Sequence, residues 1–249
     1  MSAQPLEVTE DTLLGGRVRL SQPAAGYRVA IDPVFLAATV AAGEGDSVLD
    51  VGTGVGAAAL CLAWRVPGCR VTGLESQSAM ARLAMTNVEA NGLQDRVTIL
   101  IGDLLRPPPR LSPASFDHVM ANPPHLTAAA AAAPPDPGKA ASNVEGEAKL
   151  GDWLRFCLTM AKPRGCVTLV HRADRLDALL ADLRGQAGEI TVYPLWPGGA
   201  RPATRVLVRA RKGSAAPTRL AAGMVLHETD GSYSAAAQAV LRQGAALDL

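Results

Sequence analysis

Residues 121–125 read Ala-Asn-Pro-Pro-His, at the end of the strand-like run SFDHVMAN (115–122). These residue types suit one piece of chemistry. A planar exocyclic amine is a poor nucleophile because its lone pair is delocalised. The side-chain oxygen of Asn122 and the carbonyl of Pro123 can accept its two protons, which lets the lone pair localise toward an electrophile. Backbone carbonyls hold their aim only on a stiff backbone, and Pro123 and Pro124 fix φ at successive residues. Fixed dipoles stabilise developing charge better than mobile ones. His125 would then face the plane of the acceptor and can stack on a base. Asn122, Pro123, Pro124 and His125 form the candidate catalytic set.

A second cluster lies upstream. DVGTGVG (50–56) joins a buried strand to a helix. Gly52, Gly54 and Gly56 keep the turn tight and let a ligand approach the backbone. Amides there, at a helix N-terminus, favour an anionic or zwitterionic group. Glu75 ends the next strand, where a carboxylate can accept from both ribose hydroxyls of an adenosine. Asp103 follows the third strand and can accept from an adenine amine, with backbone amides near Leu104 meeting the ring. This pattern fits NAD or S-adenosylmethionine (SAM). The GxGxG spacing departs from the dinucleotide fingerprint, and Asp50 can attract a cationic ligand end; both lean toward SAM. The candidate cofactor residues are Asp50, Gly52, Thr53, Gly54, Gly56, Glu75, Asp103, Leu104 and Asn122.

Strands and helices alternate around these motifs. Strands are expected at 47–52, 69–75, 96–103, 115–122, 165–171, 189–196 and 203–211, with helices at 55–66, 76–92, 149–161 and 173–186. Continuous apolar strands separated by helices imply a mostly parallel α/β sheet covered on both faces. The last two strands have no helix between them and read as an antiparallel hairpin. Residues 1–45 read as an N-terminal cap of the same domain, with a helix from about Pro33; residues 46–249 make the main domain. The Ala- and Pro-rich stretch 126–147 reads as a mobile surface segment.

At these positions the chain resembles class I SAM-dependent methyltransferases with an NPP-type motif. Within them it resembles bacterial enzymes that methylate N6 of adenine 37 in a valine tRNA. The preamble GYRVAIDPVFLAATVAA, DVGTGVG, Glu75, Asp103, ANPPH, RPATRVLVRARKG and TDGSYSAAAQAVLRQ carry the likeness. The resemblance implies a seven-stranded Rossmann-like sheet, SAM contacts at Asp50, Gly52, Gly54, Glu75 and Asp103, and acceptor contacts at Asn122, Pro123 and Pro124. His125 departs from the tyrosine usual there. The same geometry serves guanine N2 of ribosomal RNA or a protein glutamine amide, and a non-catalytic SAM-binding module is a further alternative.

The formal net charge is +1, so an RNA partner needs a local patch rather than a global field. No acid occurs between Ile190 and His227. Arg201, Arg205 and Arg209, with Arg28 in the preamble, are the candidate RNA contacts, arginine being suited to phosphate. Cys61, Cys69, Cys157 and Cys166 lack metal-ligand spacing and read as buried thiols; no metal is expected. The N-terminus has no signal-peptide pattern, and the apolar run from Val34 to Ala42 is too short to span a bilayer. These features suggest a cytoplasmic protein acting on tRNA, most simply as a monomer, with a dimer open.

Overall fold

The run VLDV (48–51) carries one acid among apolar residues and all four are buried, so both sides of this strand are covered. A computed structural model describes residues 7–25, 28–124 and 147–249. In chain order these form β1 (Val8–Leu13), β2 (Val18–Pro23), α1 (Asp32–Thr39), β3 (Ser47–Val51), α2 (Ala57–Arg65), β4 (Arg70–Glu75), α3 (Ser78–Ala90), β5 (Val97–Ile101) and β6 (Phe116–Ala121). There follow α4 (Leu150–Met160), β7 (Ala161–Arg172), α5 (Leu176–Leu183), β8 (Ala187–Trp196), β9 (Arg205–Lys212), the short β10 (Arg219–Leu220) and β11 (Met224–Val225), and α6 (Ala235–Gln243).

The main sheet runs β10-β8-β9-β7-β6-β3-β4-β5, with β11 also on β8. Strands β3 to β7 are parallel, and β9 is antiparallel to both β7 and β8. All seven expected strands are therefore present, including the terminal hairpin. Two layers of core flank the sheet. Val48, Val71, Met120, Val170 and Leu207 pack with α1, α2, α3 and α6. Their strand neighbours Leu49, Val119, Ala121, Leu169 and Val208 pack with α4 and α5. This is the period-two alternation of a strand buried on both faces.

The hairpin β1–β2 and the additions β10 and β11 go beyond the expected elements. The open edge of β2 is satisfied by α3. Asn87 accepts from Ser21 N and donates to Ser21 O, both at 2.8 Å, and Asn91 does the same for Arg19, also at 2.8 Å. Asparagines at i and i+4 share one helix face, so this pair takes the place of a strand. Leu14, Val18 and Leu20 carry the hairpin into the core. His125 and residues 126–146 of the expected mobile segment lie outside the described residues. All four cysteines are buried free thiols, and burial pushes Cys61 and Cys157 up to about 12. Among the described residues no helix is long and apolar enough to cross a membrane.

Candidate active site

In open α/β sheets ligands bind beyond the carboxyl ends of the strands, where the strand order reverses. Here β4 and β5 follow β3 to one side, while β6 and β7 lie on the other. The switch point is thus the crevice between β3 and β6. Val51 is in register with Ala121. That pairing brings the first residue of the glycine loop, Gly52, alongside Asn122.

The loop is braced from two sides. Gly52 N and Thr53 N donate to Leu74 O at 2.8 and 3.0 Å. Gly54 N donates to Glu75 Oε2 at 2.9 Å, and Gln77 N donates to Oε1 of the same carboxylate at 2.8 Å. Gly52 has φ +69°, and a Cβ there would overlap the indole of Trp153. Gly54 has φ +58°, and no described residue lies within 4 Å of where its Cβ would stand. Gly56, with φ +90°, caps α2.

Asp50 is 2% exposed and accepts from Thr53 Oγ1 at 2.6 Å. Burial pushes its carboxyl up to about 7; the Thr53 hydrogen bond pulls the other way, and the charge on Glu75 adds to the rise. The carboxyl is an internal strut of the loop as much as a charge offered to a ligand.

Asn122 is half-buried, and its side-chain Oδ1 is buried with no hydrogen-bond partner among the described residues. Such an atom costs about 1–3 kcal/mol unless something donates to it. Pro123 is buried and Pro124 half-buried beside it. His171, which sequence reasoning passed over, is wholly buried at the end of β7, and its Nε2 lies 3.3 Å from Pro124 O. The available signal was positional: a lone histidine closing the strand that neighbours the one ending in Asn-Pro-Pro. Trp153, in the first turn of α4, was also passed over.

Asp103 stands at the same edge, following β5. Its Oδ1 accepts from Leu105 N at 2.9 Å, and Arg106 lies 3.5 Å from Oδ2. Leu104 is half-buried against the α4-side core. The arginines are not a common free stripe. Arg205 pairs with buried Asp32 at 2.8 Å, Arg209 donates to Leu249 O, and Arg28 pairs with Asp11 at 2.6 Å. Arg201 is exposed in the loop between β8 and β9.

Known proteins agree with this layout. A family profile described as a methyltransferase domain matches residues 48–134. The crystal structure of a predicted O-methyltransferase from Agrobacterium tumefaciens shares the fold, with a TM-score of 0.74 at 24% identity, covering 88% of this chain and 99% of that one. The chain is a SAM-dependent methyltransferase. It is 31% identical over 212 residues to the tRNA1(Val) (adenine(37)-N6)-methyltransferase of Aeromonas hydrophila, covering 83% of this chain and 85% of that protein. It belongs to that family. A release factor glutamine methyltransferase from Moorella thermoacetica is 40% identical over 87 residues, 35% of this chain and 30% of that protein.

The residues at the switch point fit SAM. No described residue crowds the missing Cβ of Gly54, Glu75 stands at the end of β4, and Asp103 lies at the rim beyond β5.

Proposed function

We propose that the protein methylates N6 of an adenine in tRNA, in the cytoplasm. The observation that carries this reading is the buried, unpartnered Oδ1 of Asn122 beside the glycine loop. An acceptor atom so placed suits a ligand that brings N–H groups, and an exocyclic amine brings two. The family relative from Aeromonas supports adenine over the other planar nitrogens.

Glu75 holds the ribose hydroxyls of the cofactor, Gly52, Thr53, Gly54 and Gly56 present the loop backbone to it, and Asp103 and the Leu104 backbone meet its base. Asp50 sets the loop's shape through Thr53. SAM, when bound, supplies a sulfonium-activated methyl group. Asn122 Oδ1 and Pro123 O accept the two amino protons of the target, turning its lone pair toward that carbon. Pro123 and Pro124 keep the carbonyl from swinging away. Positioning supplies most of the acceleration, since a well-aimed nucleophile needs little further activation. No strong base is needed before attack, because the amine becomes acidic only once it is methylated. A base within folded RNA must be flipped out to reach this crevice. Arg201 contacts the RNA backbone.

A second reading keeps the chemistry and replaces the nucleobase by a protein glutamine amide. The likeness to the release factor enzyme over 87 residues favours it. Incubating the protein with radiolabelled SAM and separate pools of tRNA, ribosomal RNA and release factor distinguishes the two. Label in tRNA alone is expected; label in release factor alone overturns the RNA reading.

A further inference from the structure

We propose that His171 is a positioning residue for methyl transfer: its Nε2–H clamps the Pro124 carbonyl and so fixes the one torsion of the Asn122–Pro124 segment that the prolines leave free. The proposal rests on the function proposed above.

Count the torsions. The rings fix φ at Pro123 and Pro124. Asn122 and Pro123 each precede a proline, which confines both to extended or polyproline conformations. Pro124 precedes His125, so its ψ has no such constraint. That torsion aims the Pro124 carbonyl. His171 Nε2 lies 3.3 Å from this oxygen. A carbonyl only accepts, so the clamp requires the proton on Nε2.

The donor is well supported. His171 is 0% exposed and sits on a strand hydrogen-bonded on both sides: β7 pairs Leu169 with Ala121 of β6 and His171 with Val206 of β9. The strand that carries the histidine is thus tied directly to the strand that ends in Asn122. The clamp holds the segment to the sheet from which Asn122 projects. Groups held this way keep their geometry better than groups on a free loop.

Two readouts test the clamp independently. Long-range 1H–15N spectra of the imidazoles, with His171 assigned through H171Q, report which ring nitrogen is protonated. A protonated Nε2 is expected; a bare Nε2 overturns the clamp whatever the activity. Kinetics on tRNA then compare His171→Leu, which removes the donor, with His171→Gln, whose amide nitrogen restores one at a similar reach. H171L is expected to lower kcat by about ten- to a hundredfold, the range a small misplacement costs. Its SAM affinity by calorimetry should stay within about twofold of wild type, because Glu75 and the glycine loop are unchanged. H171Q is expected to recover most of kcat. Unchanged kcat in H171L, or equal loss in both variants while both remain folded by circular dichroism, overturns the proposal. If H171L does not fold, H171Q and the spectrum decide it. Should the wild type methylate no RNA, the proposed function fails, and the spectrum still decides whether the clamp exists.

Discussion

Arg205 donates through Nε to Asp32 Oδ2 at 2.8 Å, joining the start of β9 to the first turn of α1 across 173 residues of chain. Asp32 is 6% exposed, so the pair sets a cation beside a buried carboxylate. Arg205→Ala is expected to cost about 3 kcal/mol of stability, read by urea unfolding. Arg201→Ala, by contrast, should leave the melting temperature unchanged, weaken RNA binding, and reduce the salt slope of that binding by about 1. Identical effects of the two substitutions would remove the distinction drawn between a structural and an RNA-facing arginine.

Asn122→Ala removes the buried acceptor at the switch point. Turnover should fall by about 10² to 10³, the scale seen when one preorganised polar group is lost. SAM affinity should be nearly intact, because Glu75 and the loop amides remain. Calorimetry with SAM alongside single-turnover methylation separates the two. Full turnover in the variant would take Asn122 out of the mechanism.

Gly52→Ala places a Cβ at φ +69° and against the Trp153 indole. The left-handed backbone alone costs about 1–2 kcal/mol, and the overlap adds to it. The expected outcome is a lower melting temperature with a shifted tryptophan emission, as the indole is driven off the loop. A wild-type spectrum and melt would show that the contact is not close.

Asp50 is a buried acid whose folded-state value, about 7, lies above the ordinary carboxylate value of 3.8. The native state therefore holds the proton more tightly than the unfolded chain. Its favourable contribution is complete below about pH 4 and is lost as pH rises to about 7. Wild type should lose stability relative to Asp50→Asn across that window, by up to about 4 kcal/mol. Parallel stability curves for the two proteins between pH 4.5 and 8 would refute the buried, protonated carboxyl.

The parts of the site that were legible in the sequence are those made by neighbours along the chain. Asp50 to Gly56 form one loop, Glu75 closes the next strand, and Asn122 to Pro124 form one segment after β6; each shows its residue types within a few positions. The sheet was legible because its strands are apolar on both faces. His171 and Trp153 were not, because each reaches the site only through tertiary placement: one by strand pairing, the other by packing on Gly52. The hairpin β1–β2 escaped notice because its strands are largely polar and its edge is closed by Asn87 and Asn91 of α3. The arginines of β9 read as RNA contacts because charge spacing does not show partners. Glu189 and the Arg164 carbonyl hold Arg211, as Asp32 holds Arg205.

The most direct measurement identifies the atom that receives the methyl group. Bacterial tRNA incubated with the protein and isotopically labelled SAM is digested to nucleosides and resolved by mass spectrometry against standards. Label in N6-methyladenosine, lost with Asn122→Ala, is the result predicted. Label on a ribose 2′-oxygen or a ring nitrogen would contradict it, because neither brings the pair of amino protons that Asn122 and Pro123 are placed to accept.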